Sequence, residues 1–201
     1  MELLIKQLEE LISPNEWCVT NLSNASALLM DAIDDLSWVG FYMMRAGELV
    51  LGPFQGKVAC THIKVGKGAC GVCVQGDQTI LIEDVTTFPG YIACDAEAKS
   101  EIVVPLHDEE GKVIAVLDVD SNSLGRFGDK EQELFEALGK VLEKSLWSEK
   151  SRRLSYILRH CPESIGLELD DHGYGDVQKI LEALNITIED FGASINLVPV
   201  K

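Results

Sequence analysis

With 201 residues the chain is near the upper size of one ordinary domain and leaves room for a small appendage. Its 46% hydrophobic content suffices for a buried core, yet no apolar run reaches the ~18 residues of a membrane span. A net charge of −16 repels phosphate backbones and disfavours nucleic acid as the main partner.

The start, MELLIKQLEELISP, has neither the charged region nor the continuous apolar stretch of a signal peptide, so a soluble cytoplasmic protein without a membrane partner is expected. Leu3, Leu4, Leu8, Leu11 and Ile12 recur at helical spacing and stop before Pro14. Asn15 can cap a second helix carrying Val19, Leu22, Ala25, Leu28, Leu29 and Ile33, which breaks at Asp34 and Asp35. Strand character begins at SWVGFYMM, continues in GELVLGPFQG, and returns in QTILIEDV, SEIVVPLHD and KVIAVLDVDS, with a hairpin turn at Glu110 and Gly111. From Gly128 to about Trp147 the helical period comes back, with Asp129 and Glu131 at the positive end. The order predicts an α+β fold, a mostly antiparallel sheet flanked by helices.

Six cysteines in a reducing compartment are poor candidates for a static disulfide framework. Cys18 and Cys161 fall on predicted helices among apolar neighbours, whereas Cys60, Cys70, Cys73 and Cys94 crowd the loop-rich middle. Structural zinc would need a second C-x-x-C beside Cys70 and Cys73, and a thioredoxin-like motif would need a parallel βαβ setting. Cys73 reads instead as a packed core thiol on a helix that starts near Cys70, whose N-terminal dipole would stabilise a Cys70 thiolate. Gly66, Gly68 and Gly71 spell G-x-G-x-x-G, but without a βαβ unit they read as a sharp turn beside a pocket.

Asp118 and Asp120, two apart on a strand, share one face, and Glu101 opens the preceding strand of the same hairpin. Apolar neighbours imply partial burial, which raises a carboxyl pKa and makes it a proton donor near neutrality. A solvated pair at the strand end remains the alternative. Trp38 and Tyr42 alternate onto one face and, beside carboxylates, suit a small cationic or zwitterionic ligand.

Taken together, W-x-G-F-Y at 38–42, L-G-P-F-Q-G-x-x-A-C ending at Cys60, G-x-G-x-x-G around Cys70, F-P-G-Y-I-A-C-D at 88–95, S-E-I-V-V-P and L-D-x-D-S resemble the free methionine-(R)-sulfoxide reductases, a family of GAF fold. The resemblance covers nearly all of residues 1–148. It implies a reductase domain over about 1–150, with Cys94 as nucleophile, Cys60 as main resolving cysteine and Cys70 as a further relay cysteine. It implies that Trp38 and Tyr42 bound the pocket, while Glu101, Asp118 and Asp120 hold the amino group or the sulfoxide. No bound metal or other cofactor is implied; thioredoxin or another dithiol would be the external reductant and partner. A homodimer is compatible with it. A non-catalytic GAF domain that binds a small ligand, and a cysteine redox sensor, are the competing expectations.

Residues 151–201 have their own resemblance. L-S-x-x-L-R-H-x-P and G-L-x-L-D-x-x-G are similar to the N-terminal lobe of the RNA 2′-phosphotransferases, a small winged-helix-like module. It implies that Arg159 and His160 match part of a catalytic set completed in a second, NAD-binding lobe, for which the sequence to Lys201 has no room. Five Lys/Arg against eight Asp/Glu make a poor RNA footprint, so a structural or docking role is expected.

Overall fold

The computed structural model describes residues 2–13, 16–92, 94, 96–108, 110–146, 161–168, 170 and 175–184. Contacts group Met1–Ser13 with Cys18–Leu146, and Pro14–Trp17 with Trp147–Lys201.

In the first unit β1 (Trp38–Arg45), β2 (Glu48–Gln55), β3 (His62–Lys64), β4 (Ile80–Ile82), β5 (Ser100–His107) and β6 (Val113–Ser121) form one sheet. Its order is β3-β2-β1-β6-β5-β4, and every neighbouring pair is antiparallel. Helices α1 (Glu2–Leu11), α2 (Cys18–Ala32) and α4 (Asp129–Leu146) pack together, α2 against β1 and β2, α4 against β5. Helix α3 (Gly68–Gly76) packs on β5 and β6 and shares a core with Trp38, Tyr42, Val103 and Val116. Strand alternation sends Val39, Phe41, Ile102, Val104, Leu117 and Val119 to the opposite face, and all six are buried. With both faces covered, β5 and β6 read as nearly continuous apolar runs. Pro105 is tolerated inside β5 because β4 pairs only with Glu101, Ile102 and Val103, so no β4 carbonyl awaits the missing N–H.

Three boundaries differ from the sequence expectation. QTILIEDV supplies only three strand residues, because Asp84 turns the chain into a 3-10 turn, Val85–Thr87, by accepting from the Thr86 N–H at 2.9 Å. Strand β3 went unpredicted, three residues being too few to show alternation. Helix α2 begins at Cys18, while Asn15, Trp147, Arg159 and His160 lie outside the described residues.

The far end of α3 is tied down by a charged cluster. Asp77 caps the helix in a left-handed conformation and meets His107 Nε2 at 2.6 Å, while Nδ1 meets Glu143 of α4 at 2.7 Å. Burial works against the charged ring, but the two carboxylates outweigh it and raise the His107 pKa. Its stabilisation is therefore complete below ~6.5, the unfolded value, and is lost as pH rises through the higher folded one. His107→Ala is expected to cost roughly 1–3 kcal/mol at pH 6 and clearly less at pH 9, read from urea midpoints.

In the second unit Pro162–Ile165 form a 3-10 turn ended by Gly166 at φ 67°, and α5 (Val177–Leu184) follows. Cys161 was expected on a helix; it stands instead at the N-cap of the turn, Pro162 being suited to a first turn and not to a helix interior. Leu167 and Ile180 are buried, and Asp176 Oδ1 caps α5 by accepting from the Gln178 N–H at 2.9 Å. Among the described residues no helix is long and apolar enough to cross a membrane.

Candidate active site

The central strands carry the site in two adjacent rows. Trp38, Asp120 and Glu101 stand side by side on β1, β6 and β5, and Gly40, Asp118 and Val103 form the next row. All share the face that packs on α3. Gly40 explains the gap in W-x-G-F-Y: a Cβ there would lie 2.4 Å from Phe54 Cβ and 2.6 Å from Trp38 Cη2. Without it the indole folds across the strand, stacks on Phe54 at 5.3 Å and on Tyr42 at 6.1 Å, and leaves open space beside Asp118.

The loop from Gly56 to Thr61 is pinned to this platform twice. Trp38 Nε1–H donates to the Lys57 carbonyl at 3.0 Å, and the Tyr42 hydroxyl donates to the Cys60 carbonyl at 3.0 Å. These bonds hold Cys60 where Cys94 can reach it, and the two form a disulfide with Cα atoms 5.5 Å apart. A cleft of about 220 Å³, including its open mouth, is lined by Trp38, Tyr42, Val58, Ala59, Cys94, Asp118 and Asp120. Five of the eight residues singled out in the sequence thus meet in one small cavity.

Glu101 and Cys70 lie beneath. Cys70 Sγ and carboxylate oxygens of Glu101 and Asp118 are within 4.8 Å of one another, all buried. Burial, then the charges of Asp118 and Asp120, push the Glu101 pKa far up, so Glu101 holds its proton and shares it with Asp118. Burial also raises Asp118, to about 6, against hydrogen bonds from Cys70 and Glu101 that pull it down. Asp118 Oδ1 is buried without a hydrogen-bond partner, an acceptor left for a ligand. The three donors could surround a cation, but a protonated Glu101 hydrogen-bonded to Asp118 already relieves their charge.

One expectation fails here. Although Cys70 sits in the first turn of α3, it is not a stabilised thiolate: burial and the charges of Asp118 and Glu101 push its pKa well up and outweigh the helix dipole. Cys73 is fully buried, with its Sγ 3.7 Å from the Val103 carbonyl. The glycine run serves packing: a Cβ on Gly71 would lie 2.3 Å from the Lys64 carbonyl oxygen, and the Gly66 N–H bonds the Gly71 carbonyl at 2.7 Å.

Residues 20–143 match the family model of the GAF domain. The free methionine-R-sulfoxide reductase of Escherichia coli is 48% identical over 128 residues, which are 64% of this chain and 77% of that protein. The solved structure of the free methionine-R-sulfoxide reductase of Neisseria meningitidis in complex with its substrate superposes with a TM-score of 0.68. It is 40% identical, over 71% of this chain and 86% of that one. The chain belongs to the GAF-domain free methionine-R-sulfoxide reductase family.

In this chain α2 and α4 pack on one face of the six-stranded sheet, and Trp38, Tyr42, Glu101, Asp118 and Asp120 lie on the other. Sequence reasoning missed Tyr91 on that face. It hydrogen-bonds Glu101, lowering the carboxyl pKa against the larger effect of burial, and it lies three residues before Cys94. Its only signal was the F-P-G-Y-I-A-C-D run, which reads as loop.

Residues 147–196 match the RNA 2′-phosphotransferase family model. The similar probable RNA 2′-phosphotransferase of Pseudomonas fluorescens is 45% identical over 40 residues, 20% of this chain and 22% of that protein.

Proposed function

We propose that this protein reduces free L-methionine-(R)-S-oxide to L-methionine, using an external dithiol and no bound cofactor. The observation that carries the reading is a cleft in which Cys94, already bonded to Cys60, lies among Trp38, Tyr42, Asp118 and Asp120. The named relatives are the second support.

Trp38 and Tyr42 enclose the S-methyl group of the sulfoxide, and Asp118 with Asp120 receives the ammonium. The Cys94 thiolate attacks the sulfoxide sulfur while Glu101 delivers a proton to the oxygen. The hydroxyl then passes to the Cys94 sulfur as the S–O bond and the S–S bond formed in the attack both break, so methionine leaves and Cys94 is left as a sulfenic acid. The Cys60 thiol then attacks that sulfur, forming the disulfide and releasing water. A dithiol of the thioredoxin class attacks the disulfide, takes the oxidised state and restores both thiols. Cys70, with its raised pKa, acts as a hydrogen-bond donor to Asp118 and joins the relay only where its thiol loses that burial.

A cycle that needs reduced thiols at rest fits the cytoplasm. Residues 1–150 form the reductase domain in this reading, and 151–201 a partial phosphotransferase-like segment with a structural or docking role.

Racemic free methionine sulfoxide, incubated with the protein and a small dithiol and resolved by chiral chromatography, is expected to lose its R epimer alone. Cys94→Ser should abolish that loss. If neither epimer disappears with folded, reduced protein, the domain is a ligand-binding GAF module instead.

A further inference from the structure

The aromatic wall of the cleft is held from behind. Trp38 lines the cleft, and its indole lies over Gly40, where a Cβ would come within 2.6 Å of Cη2. Gly40 pairs with Phe54 of β2 on one side and with Asp118 of β6 on the other. Asp118 lines the cleft, so Phe54 flanks the indole on the side away from the ligand space.

The two edges of the indole are fixed differently. At the pyrrole edge Nε1–H donates to the Lys57 carbonyl at 3.0 Å, and Cδ1 passes so close to Gly56 that a Cβ there would lie 2.6 Å away. The benzo edge carries only carbon and is held by packing. Phe54 stacks on the indole at 5.3 Å with the planes 15° apart, more closely than Tyr42 at 6.1 Å and 26°. Phe54 is half-buried and is not among the residues that line the cleft, so it acts on a ligand only through Trp38. A shorter side chain there would open space behind the indole, and the benzo edge would swing into it about the hydrogen-bonded Nε1.

We propose that Phe54 positions the Trp38 indole and thereby sets the size of the S-alkyl group that the cleft accepts. The inference rests on the reductase reading, in which Trp38 and Tyr42 enclose the S-methyl group. A wall that cannot retreat rejects one extra methylene by roughly 10- to 200-fold. A wall free to tilt loses its grip on the methyl and its exclusion of an ethyl together.

The test measures kcat and KM for the R sulfoxides of free methionine and of its S-ethyl homologue, with a small dithiol, in wild type, Phe54→Ala, Phe54→Leu and Phe54→Tyr. Wild type is expected to prefer the methyl compound by roughly 10- to 200-fold in kcat/KM. Phe54→Ala should cut that preference by about tenfold or more, chiefly through a higher KM for methyl and a lower one for ethyl. Phe54→Leu fills most of the volume without a flat face, so it spares the fold and should move the preference the same way by a smaller factor. Phe54→Tyr keeps the ring and should keep the preference. A preference unchanged in both Phe54→Ala and Phe54→Leu, or equal losses on the two sulfoxides, would overturn the inference and leave the reductase reading standing, as would a wild type indifferent to the extra carbon. A wild type that reduces neither sulfoxide would remove both.

Discussion

Glu101→Gln is expected to lower kcat/KM for the sulfoxide by about two to four orders of magnitude and, at the same time, to make the protein harder to unfold at alkaline pH. Both effects come from one proton. Burial and the carboxylates at Asp118 and Asp120 keep Glu101 protonated, and in the proposed mechanism it gives that proton to the departing oxygen. Glutamine retains the shape and a hydrogen-bond donor toward Asp118 but has no acid to offer. For stability the same raised pKa works in reverse. The folded state binds more protons than the unfolded one between ~4.3, the ordinary glutamate value, and the raised folded value. Stability is thus highest at the acid end of that window and falls as pH climbs through it. The variant escapes this loss. Urea midpoints for both proteins at pH 5 and pH 8.5 measure it: the gap should widen in favour of the variant at pH 8.5, and parallel midpoints would show that Glu101 is ionised in the native state.

Gly71→Ala is the second large effect, and it acts on the fold. The added Cβ would meet a backbone carbonyl oxygen, that of Lys64, at 2.3 Å, and no rotamer change can relieve the clash because the backbone fixes both atoms. Either α3 lifts from the end of β3 or the turn at Gly66 opens. We expect about 3 kcal/mol of destabilisation, seen as a lower urea midpoint at an unchanged slope. Because Cys70 precedes Gly71 and donates to Asp118, the folded fraction should also lose activity. Full activity in the folded fraction would mean that α3 adjusts without moving Cys70.

Much of this was legible where side-chain periodicity meets a real sheet. Trp38 and Tyr42 stand on one face, and Asp118 and Asp120 on the neighbouring strand of that face, because β1 and β6 are regular and paired along their lengths. The α+β order followed from the same alternation. Legibility ended where geometry depends on distant chain. The pull of Asp118 and Glu101 on the Cys70 thiol lives in three dimensions, so a helix N-terminus suggested the wrong direction for its pKa. Tyr91 sits in a loop with no period at all, and its meeting with Glu101 depends on how that loop folds back. Strand β3 is too short to announce itself, and Asp84 ends β4 through a side-chain bond that composition does not distinguish from solvent exposure.

The sheet is narrow at its margins. Its outer strands, His62–Lys64 and Ile80–Ile82, span three residues each, while the strands between them run to eight or nine. A neighbouring copy laid against either edge would find only a few backbone groups to pair with, too short a template to seed a shared sheet. That restraint would matter in the proposed cycle, in which the loops at Cys60 and Cys94 separate and rejoin. Molecules opened in that cycle would have little edge to offer one another, which disfavours association through shared sheet edges.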